Sequence, residues 1–231
     1  MKSFIAQIPN NYLLFFGKIL GNLLYYLALP KRRIVRRNLR FCLVESAPQQ
    51  IQSMAKRIFQ HFGITILELL QMTCFSKQNL TSKVRIENVE ILIDAIAKQK
   101  GVVLITAHLG NYEMASQSVP CLLGLQMSAV AKKMRNIRIN RLIHNLRTRF
   151  GNKVIYKKGA LPEMMQRLRQ GEMVAILMDI SRRFDGVEVN FLGRRATATP
   201  AAALLGLRCK SPIIPAFCHR NPKGELIVQI E

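Results

Sequence analysis

The amino-acid sequence predicts an α/β fold with a largely parallel central sheet covered by helices, preceded by an N-terminal membrane-associated helix. Short apolar runs alternate with helical stretches from residue 89 onward, a pattern typical of parallel sheets covered on both faces. The chain has 231 residues, of which 49% are hydrophobic, which suits one well-buried domain and leaves little room for a second. A nearly continuous apolar segment, Tyr12–Leu29, precedes the alternation. We therefore divide the chain into a membrane-anchoring segment, residues 1–40, and an α/β domain, residues 41–231.

The N-terminal apolar segment approaches the length of a bilayer span, but Lys18 and Asn22 interrupt it. On a helical wheel these two residues and Asn11 share one narrow sector. This favours a helix that lies in or dips into the membrane interface, while a helix that spans the membrane stays open. The alternatives are a core helix and a cleaved signal peptide. Against the latter, Lys2 is the only cation at the start, and no small-x-small cleavage site precedes the next cations.

A basic cluster follows the apolar segment: residues 31–40 contain six cations and no acid. Such clusters stay on the cytoplasmic side, and each cation near anionic headgroups contributes about 1 kcal/mol. A solvated helix face is the alternative. The whole chain has 35 Lys and Arg against 13 Asp and Glu, a net charge of +22. This charge indicates a polyanionic partner, which is a nucleic acid, an anionic membrane or a phosphorylated substrate.

The alternating pattern gives each later element in turn. Helices are predicted at Pro48 to about Thr73, Val89–Gln99, and around 112–123, 137–149, 160–169 and 198–208. Strands are predicted at Val102–Thr106, Met127–Ala131, Lys153–Tyr156, Met173–Met178, Ile213–Cys218 and Leu226–Ile230. Residues Ser76–Lys83 are expected to form a linker. The five cysteines are scattered and include no Cys-x-x-Cys, so we expect reduced thiols in a cytosolic environment and no metal site.

His108 and Glu113 stand five residues apart where the strand Val102–Thr106 ends and a helix begins. A strand-to-helix turn is where α/β folds present catalytic groups. We expect Glu113 to accept a hydrogen bond from Nδ1 of His108, which leaves Nε2 as a base that can take the proton of an alcohol. Gly110 and Asn111 supply the tight turn and the helix N-cap. The alternative is a hydrogen-bonded core histidine and a glutamate that complements the helix dipole.

Two other regions contain candidate substrate-binding residues. From Met114 through Pro162 the chain has no Asp or Glu and many cations, which suits recognition of phosphate. Arg147 and Arg149 lie in that stretch, near a helix end where interaction with the dipole is the alternative. Asp179 ends the apolar run 173–178, where it anchors a substrate-facing arginine, shapes the active-site loop or simply caps a turn.

The segment Phe191–Pro200 brings a glycine, two arginines and two threonines ahead of an Ala-rich helix. Backbone N–H groups in such a loop suit binding of an oxyanion or phosphate, which makes Gly193 and Arg194 candidate substrate-binding residues. Equally, Thr199 followed by Pro200 is an ordinary helix N-cap and first position.

Taken together, these segments resemble one family, the late lauroyl/myristoyl acyltransferases of lipid A biosynthesis within the lysophospholipid acyltransferase-like superfamily. The resemblance rests on the N-terminal anchor and on a series of short motifs in the same order as in the family. These motifs are Arg37-Asn38-Leu39 and residues 108–113, 147–151, 177–179, 191–194 with 198–200, and 212–215. It implies that His108 is a general base oriented by Glu113. The family's arginine and aspartate positions fall on the Arg147/Arg149 pair and Asp179, without deciding between the two arginines.

The resemblance implies transfer of a fatty acyl chain from acyl carrier protein to a hydroxyl of a phosphorylated lipid A precursor, at the cytoplasmic face of the inner membrane, with no cofactor. Two alternatives remain. One is an acyltransferase that uses acyl-CoA on another glycolipid or phospholipid, such as a phosphoinositide mannoside. The other is a non-enzymatic basic protein that binds nucleic acid or membranes, although no nucleic-acid partner is expected because no recognition motif is present.

The chain also departs from the family's pattern. Tyr112 stands where Trp is common, and Ile180 where Gln is frequent. Similar proteins continue beyond the position of Glu231 and carry a Trp-containing basic segment, whereas this sequence has no Trp. We therefore expect a C-terminally shortened relative or a fragment.

Overall fold

The structure is a computed structural model that describes residues 2–157, 159–181 and 186–231. The chain forms two compact units. The N-terminal unit comprises residues 1–74 together with 189–196, and the sheet unit comprises residues 75–188 together with 197–231. The expected boundary at residue 40 thus falls inside the N-terminal unit, and the assignment of residues 1–40 as a membrane anchor stays a prediction.

Helices build the N-terminal unit: α1 (Lys2–Ala6), α2 (Asn10–Leu27), α3 (Leu29–Cys42) and α4 (Pro48–Met72). Helices α2 and α4 approach closely because Gly17 and Gly21 face Gly63, and a Cβ at any of the three would overlap the opposite backbone. Tyr25 continues the contact, with its ring edge-on to Phe59 at 5.6 Å between centroids. The buried face of α2 is therefore committed to α4.

The predicted apolar segment breaks into two helices near Ala28, because Pro30 favours the start of a new helix, α3. Among the described helices, none is by itself both long and apolar enough to cross a bilayer. Within the described part of the chain, only α2 and α3 taken together reach that length and composition, and they bend by 95° at their break. Asn22 is one of the polar residues that share a sector of the predicted helix. Its Oδ1 accepts a hydrogen bond of 2.9 Å from Gln60 on α4.

The sheet unit has a seven-stranded sheet in the order β1-β9-β8-β2-β5-β3-β4. Its strands are β1 (Val84–Glu87), β2 (Val102–Thr106), β3 (Met127–Ala131), β4 (Lys153–Tyr156), β5 (Met173–Leu177), β8 (Ile213–Arg220) and β9 (Leu226–Ile230). Its helices are α5 (Lys77–Ser82), α6 (Val89–Ala97), α7 (Tyr112–Leu123), α8 (Ile137–Thr148), α9 (Ala160–Arg169) and α10 (Ala201–Cys209). All neighbouring strands are parallel except β8 and β9. The predicted α/β fold with a largely parallel sheet covered by helices is confirmed.

The central strands β2 and β5 are apolar and mostly buried, and α9 and α10 cover one of their faces. Val103 and Val174 lie at the centre of this core, together with Leu168 and Leu205 from the covering helices. β2 and β5 pair in parallel register, so that Thr106 lies beside Leu177. This register brings the residues that follow both strands to the same edge of the sheet.

Three features of the local structure differ from what the sequence predicts. The expected linker Ser76–Lys83 is wrong, because the segment contains α5, where the Ser76 hydroxyl accepts the Asn79 N–H at 3.1 Å and Leu80 is buried. Strand β1 was not predicted. The glycine loop near residue 193 is the turn of a hairpin formed by β6 (Val187–Phe191) and β7 (Arg194–Ala198). Both turn residues have positive φ, 51° at Leu192 and 72° at Gly193, as a two-residue type I′ hairpin turn requires.

Candidate active site

Two polar residues, one after each central strand, meet at the carboxyl edge of the sheet. His108 comes two residues after β2, and Asp179 comes two residues after β5. Because Thr106 pairs with Leu177, the following residues run side by side out of the sheet. In open α/β sheets, this edge is where ligands bind. The strand register therefore sets His108 against Asp179.

The Asp179 carboxylate holds His108 at two points. Its Oδ2 accepts the backbone N–H of His108 at 2.8 Å, and its Oδ1 lies 2.8 Å from the imidazole Nδ1. A carboxylate that accepts at Nδ1 places the ring proton there, so the lone pair of Nε2 is available as a base. The two side chains are 38% and 34% exposed, so a substrate can reach the imidazole.

The turn between β2 and α7 has the expected construction. Gly110 has a φ of +57°, and a Cβ at this position would collide with the carbonyl oxygen of Cys218 on β8. The buried side chain of Asn111 caps α7 by accepting the Met114 N–H at 3.0 Å. The predicted N-cap is confirmed, and the backbone of the turn is fixed at both ends.

Tyr112 forms a wall beside the histidine, with ring centroids 4.8 Å apart in an edge-on arrangement. Burial raises the pKa of its phenol above the ordinary value, and the nearby charges of Glu113 and Asp179 add to this against an opposing effect of Arg147. Tyr112 therefore links the imidazole to the neighbourhood of Glu113, the next residue on α7. The sequence marks Tyr112 only as standing where Trp is common in similar proteins, and its contact with His108 depends on the geometry of the turn.

The structure corrects the expected partner of the imidazole. The carboxylate at Nδ1 belongs to Asp179, whereas the Glu113 carboxylate, on the first turn of α7, accepts from Arg147. Arg147 Nε lies 3.0 Å from both Glu113 oxygens, and its Nη2 also donates to Oε1. The expected bond from His108 to Glu113 is therefore wrong. The physical reason is that Glu113 is buried beside a fixed cation, while the strand register delivers Asp179 to the histidine.

Of the two candidate arginines, the structure joins Arg147 to this neighbourhood. Burial opposes its charge, but the hydrogen bonds and charge of Glu113 outweigh burial and raise the pKa of Arg147 above the usual value. The Gln117 side chain, one turn after Glu113, donates to the carbonyl of Arg147 at 2.5 Å. Arg149 instead donates to the carbonyl of Phe75 at 2.9 Å. No local pattern marks Gln117, because its role depends on how α7 packs against α8.

The other predicted substrate-binding residues, Gly193 and Arg194, form the end of the β6–β7 hairpin and belong to the N-terminal unit. The Arg194 guanidinium lies over the ring of Phe41, 5.3 Å from its centroid. The sheet unit thus brings together His108, Asp179, Glu113 and Arg147, and the role of Gly193 and Arg194 in substrate binding stays a prediction.

The amino-acid sequence is similar to known acyltransferases of lipid A biosynthesis. Residues 1–231, the whole chain, match the family model described as bacterial lipid A biosynthesis acyltransferase. A lipid A biosynthesis acyltransferase of Haemophilus influenzae is 24% identical over 203 residues, which cover 87% of this chain and 64% of that protein. The chain thus spans less than two thirds of the length of this relative. A crystal structure of a 1-acyl-sn-glycerophosphate acyltransferase from Thermotoga maritima aligns with 98% of this chain and 85% of its own, at 16% identity and a TM-score of 0.38.

Proposed function

The chain belongs to the bacterial lipid A biosynthesis acyltransferase family, and on this premise we propose that it is a membrane-associated O-acyltransferase. It moves a fatty acyl chain from the thioester of acyl carrier protein to a hydroxyl of a lipid A precursor. The observation that carries the proposal is the His108–Asp179 pair, an accessible imidazole whose Nδ1 lies 2.8 Å from a carboxylate oxygen. Such a pair is the general-base half of an acyl-transfer site.

In the proposed reaction, Nε2 of His108 removes the proton of the acceptor hydroxyl as its oxygen attacks the thioester carbonyl. A tetrahedral oxyanion forms, and backbone amides at the start of α7 stabilise its charge. The intermediate then collapses, the new ester remains, and the carbon–sulfur bond breaks. The leaving thiolate takes the proton back from the imidazolium. The cycle restores neutral His108 and needs no covalent acyl-enzyme.

Glu113 and Arg147 support this base as positioning residues. Glu113 is 9% exposed and sits one residue after Tyr112, which packs against the imidazole. Its bidentate pair with Arg147 ties the first turn of α7 to the end of α8. We assign Arg147, rather than Arg149, to the anionic substrate, since Arg147 pairs with Glu113, one residue after the Tyr112 that packs against the imidazole, whereas Arg149 donates to the carbonyl of Phe75.

Membrane association is proposed for the N-terminal unit. The α2 face opposite its α4 contact is apolar and exposed, with Phe15 60%, Ile19 49%, Leu23 54% and Tyr26 60% accessible. Exposed apolar faces of this kind are typical of membrane or protein contacts. α3 has no fully buried residue and carries the six cations of residues 31–40. We infer that α2 enters the acyl-chain region while α3 contacts anionic headgroups at the cytoplasmic face.

The proposed activity is tested with purified protein and a lipid A precursor. The acyl donor is either acylated acyl carrier protein or acyl-CoA. Mass spectrometry of the lipid should show one added acyl chain with the carrier-protein donor and a much slower reaction with acyl-CoA. Acylation from acyl-CoA alone would contradict the proposed donor, and an unchanged precursor with both donors would contradict the proposed activity.

Membrane association is tested by vesicle sedimentation of the quadruple variant Arg32→Gln, Arg33→Gln, Arg36→Gln and Arg37→Gln. This variant should bind anionic vesicles more weakly than the unaltered protein does, and neutral vesicles equally well, because only the charge contribution is removed. If the unaltered protein bound neither kind of vesicle, membrane association would be wrong.

A further inference from the structure

Helix α8 presents an unusual outer face. None of its residues is fully buried, although the helix has 12 residues and lies in the sheet unit. Ile137 is 74% exposed and Leu142 is 58% exposed, so large apolar groups share this face with cations. We define the α8 surface by the exposed residues of the helix, which follows a loop that contains Arg135: Ile137, Arg138, Ile139, Arg141, Leu142 and Asn145.

The residues are ordered around the helix in a way that indicates the kind of partner. With about 100° per residue, Arg141, Asn145 and Arg138 occupy the middle of the exposed arc. Ile137 marks one edge of the arc, and Leu142 and Ile139 lie toward the other. A helix that lies on a membrane has the opposite order, with apolar groups in the centre, where it sinks deepest, and cations at the sides. The α8 surface instead places its charge in the centre.

Among the residues that the structure describes, no carboxylate forms an ion pair with these cations. The sequence from Met114 through Pro162 contains no Asp or Glu, and none of the ion pairs in the described part of the chain uses Arg135, Arg138 or Arg141. Arginine forks can bind carboxylates in a bidentate way, and exposed isoleucine and leucine can pack beside such pairs. The surface is therefore complementary to an acidic, partly apolar protein face.

The surface is held in place at both ends. At its start, the Asn136 side chain caps α8 by accepting the N–H groups of Arg138 and Ile139 at 3.0 and 3.1 Å. The loop is tied to the helix by the Met134 N–H, which donates to Asn140 Oδ1 at 2.9 Å. At its end, Arg147 binds Glu113, one residue after the Tyr112 that packs against the imidazole. A partner bound along α8 would thus lie on the helix that leads to the active site.

We propose that the α8 surface is the docking site for an acidic protein that delivers the acyl thioester. The inference rests on the proposed donor, because a carrier protein must dock while its thioester reaches His108. Arg138 and Arg141 pair with carboxylates of the carrier, and Ile137 and Leu142 pack at the margins. A small thioester without a protein part needs none of these contacts.

The test compares the double variant Arg138→Glu/Arg141→Glu with a matched control, Lys100→Glu/Lys223→Glu. The control reverses two exposed cations elsewhere on the sheet unit and gives the same net charge. The full-length protein in detergent is titrated with acyl carrier protein that bears no acyl chain, so binding is measured without catalysis. We expect the α8 variant to raise the Kd at least about 30-fold, and the control less than about threefold, because paired charges are replaced by repulsive ones.

Two further measurements distinguish carrier docking from misfolding and from membrane binding. Transfer from acyl-pantetheine should be equal in the α8 variant and the unaltered protein, which also shows that the variant is folded. Binding to anionic vesicles should change equally in both double variants. Carrier binding unchanged by the α8 substitutions, or a selective loss of vesicle binding, would overturn the docking site. If the unaltered protein binds the carrier but transfers no acyl chain, the proposed function fails while the docking site stands.

Discussion

Replacing Asp179 by asparagine tests how the base is oriented. The carboxylate contacts both the backbone N–H and Nδ1 of His108, each at 2.8 Å. In Asp179→Asn, one oxygen can still accept from the backbone, and the amide NH2 then faces Nδ1. An NH2 group cannot accept a proton, so it favours the tautomer with the proton on Nε2, and that tautomer is not a base. The shape of the site is kept while its chemistry is inverted.

The size of the effect follows from the exposure of the pair. In buried triads the same exchange lowers kcat by about 10⁴-fold. Here the side chains of His108 and Asp179 are 38% and 34% exposed, so water partly replaces the lost interaction. We therefore expect a loss of about 10²- to 10³-fold in kcat, or about 3–4 kcal/mol of barrier. Asp94→Asn, at an exposed position on α6, is the matched control and should retain the full rate.

The assay combines steady-state transfer with nitrogen NMR of the imidazole. The unaltered protein should show His108 protonated at Nδ1, and Asp179→Asn should show it protonated at Nε2. An Asp179→Asn protein with a kcat close to that of the unaltered protein would refute the reasoning, as would a slow variant whose tautomer has not changed.

Three other outcomes follow from the site. Glu113→Gln leaves the partly buried Arg147 without its charged partner and should destabilise the protein by about 1–3 kcal/mol. Thermal unfolding of Glu113→Gln, of Arg147→Met and of the double variant should show non-additive effects on stability. Additive effects would mean that the pair is not coupled. Arg147→Lys keeps the charge but loses the planar fork, so it should lower kcat/KM more for a phosphorylated than for a dephosphorylated acceptor. Arg149→Lys is the control. If Arg147→Lys affected both acceptors equally, Arg147 would have no role in substrate recognition. Burial raises the pKa of Tyr112 above its ordinary value, so the phenol stays neutral from about pH 6 to 9. Tyr112→Phe should therefore keep the shape of the pH profile of kcat/KM over that range. Loss of an alkaline limb in this variant would show that the phenol titrates there.

Sequence patterns predicted the sheet well, because its strands are short apolar runs with clear boundaries. Four of the predicted strands, β2, β3, β4 and β9, have the predicted bounds. The missed strand β1 has the sequence VRIE, which is too short and too polar to stand out from the segments around it. The hairpin β6–β7 was missed because β6 is exposed along its whole length, so no burial pattern marks it.

Sequence patterns singled out the four residues that meet at the candidate site, His108, Asp179, Glu113 and Arg147, but not how they pair. His108 and Asp179 could each be placed at the end of a strand from the sequence alone. The two residues are 71 positions apart in the sequence. They meet because the sheet order places β2 next to β5. Glu113 is close to His108 along the chain, so proximity in sequence favoured the wrong partner. The burial of Glu113 against Arg147 depends on how α8 packs, which local patterns do not encode.

The most direct test of the account is the transfer rate of His108→Ala, measured with acyl carrier protein as donor and lipid A precursor as acceptor. If His108 is the general base, the folded variant should lose about 10²- to 10⁴-fold in kcat. A folded His108→Ala protein that transfers acyl chains at nearly the full rate would contradict the account and show that the base lies elsewhere.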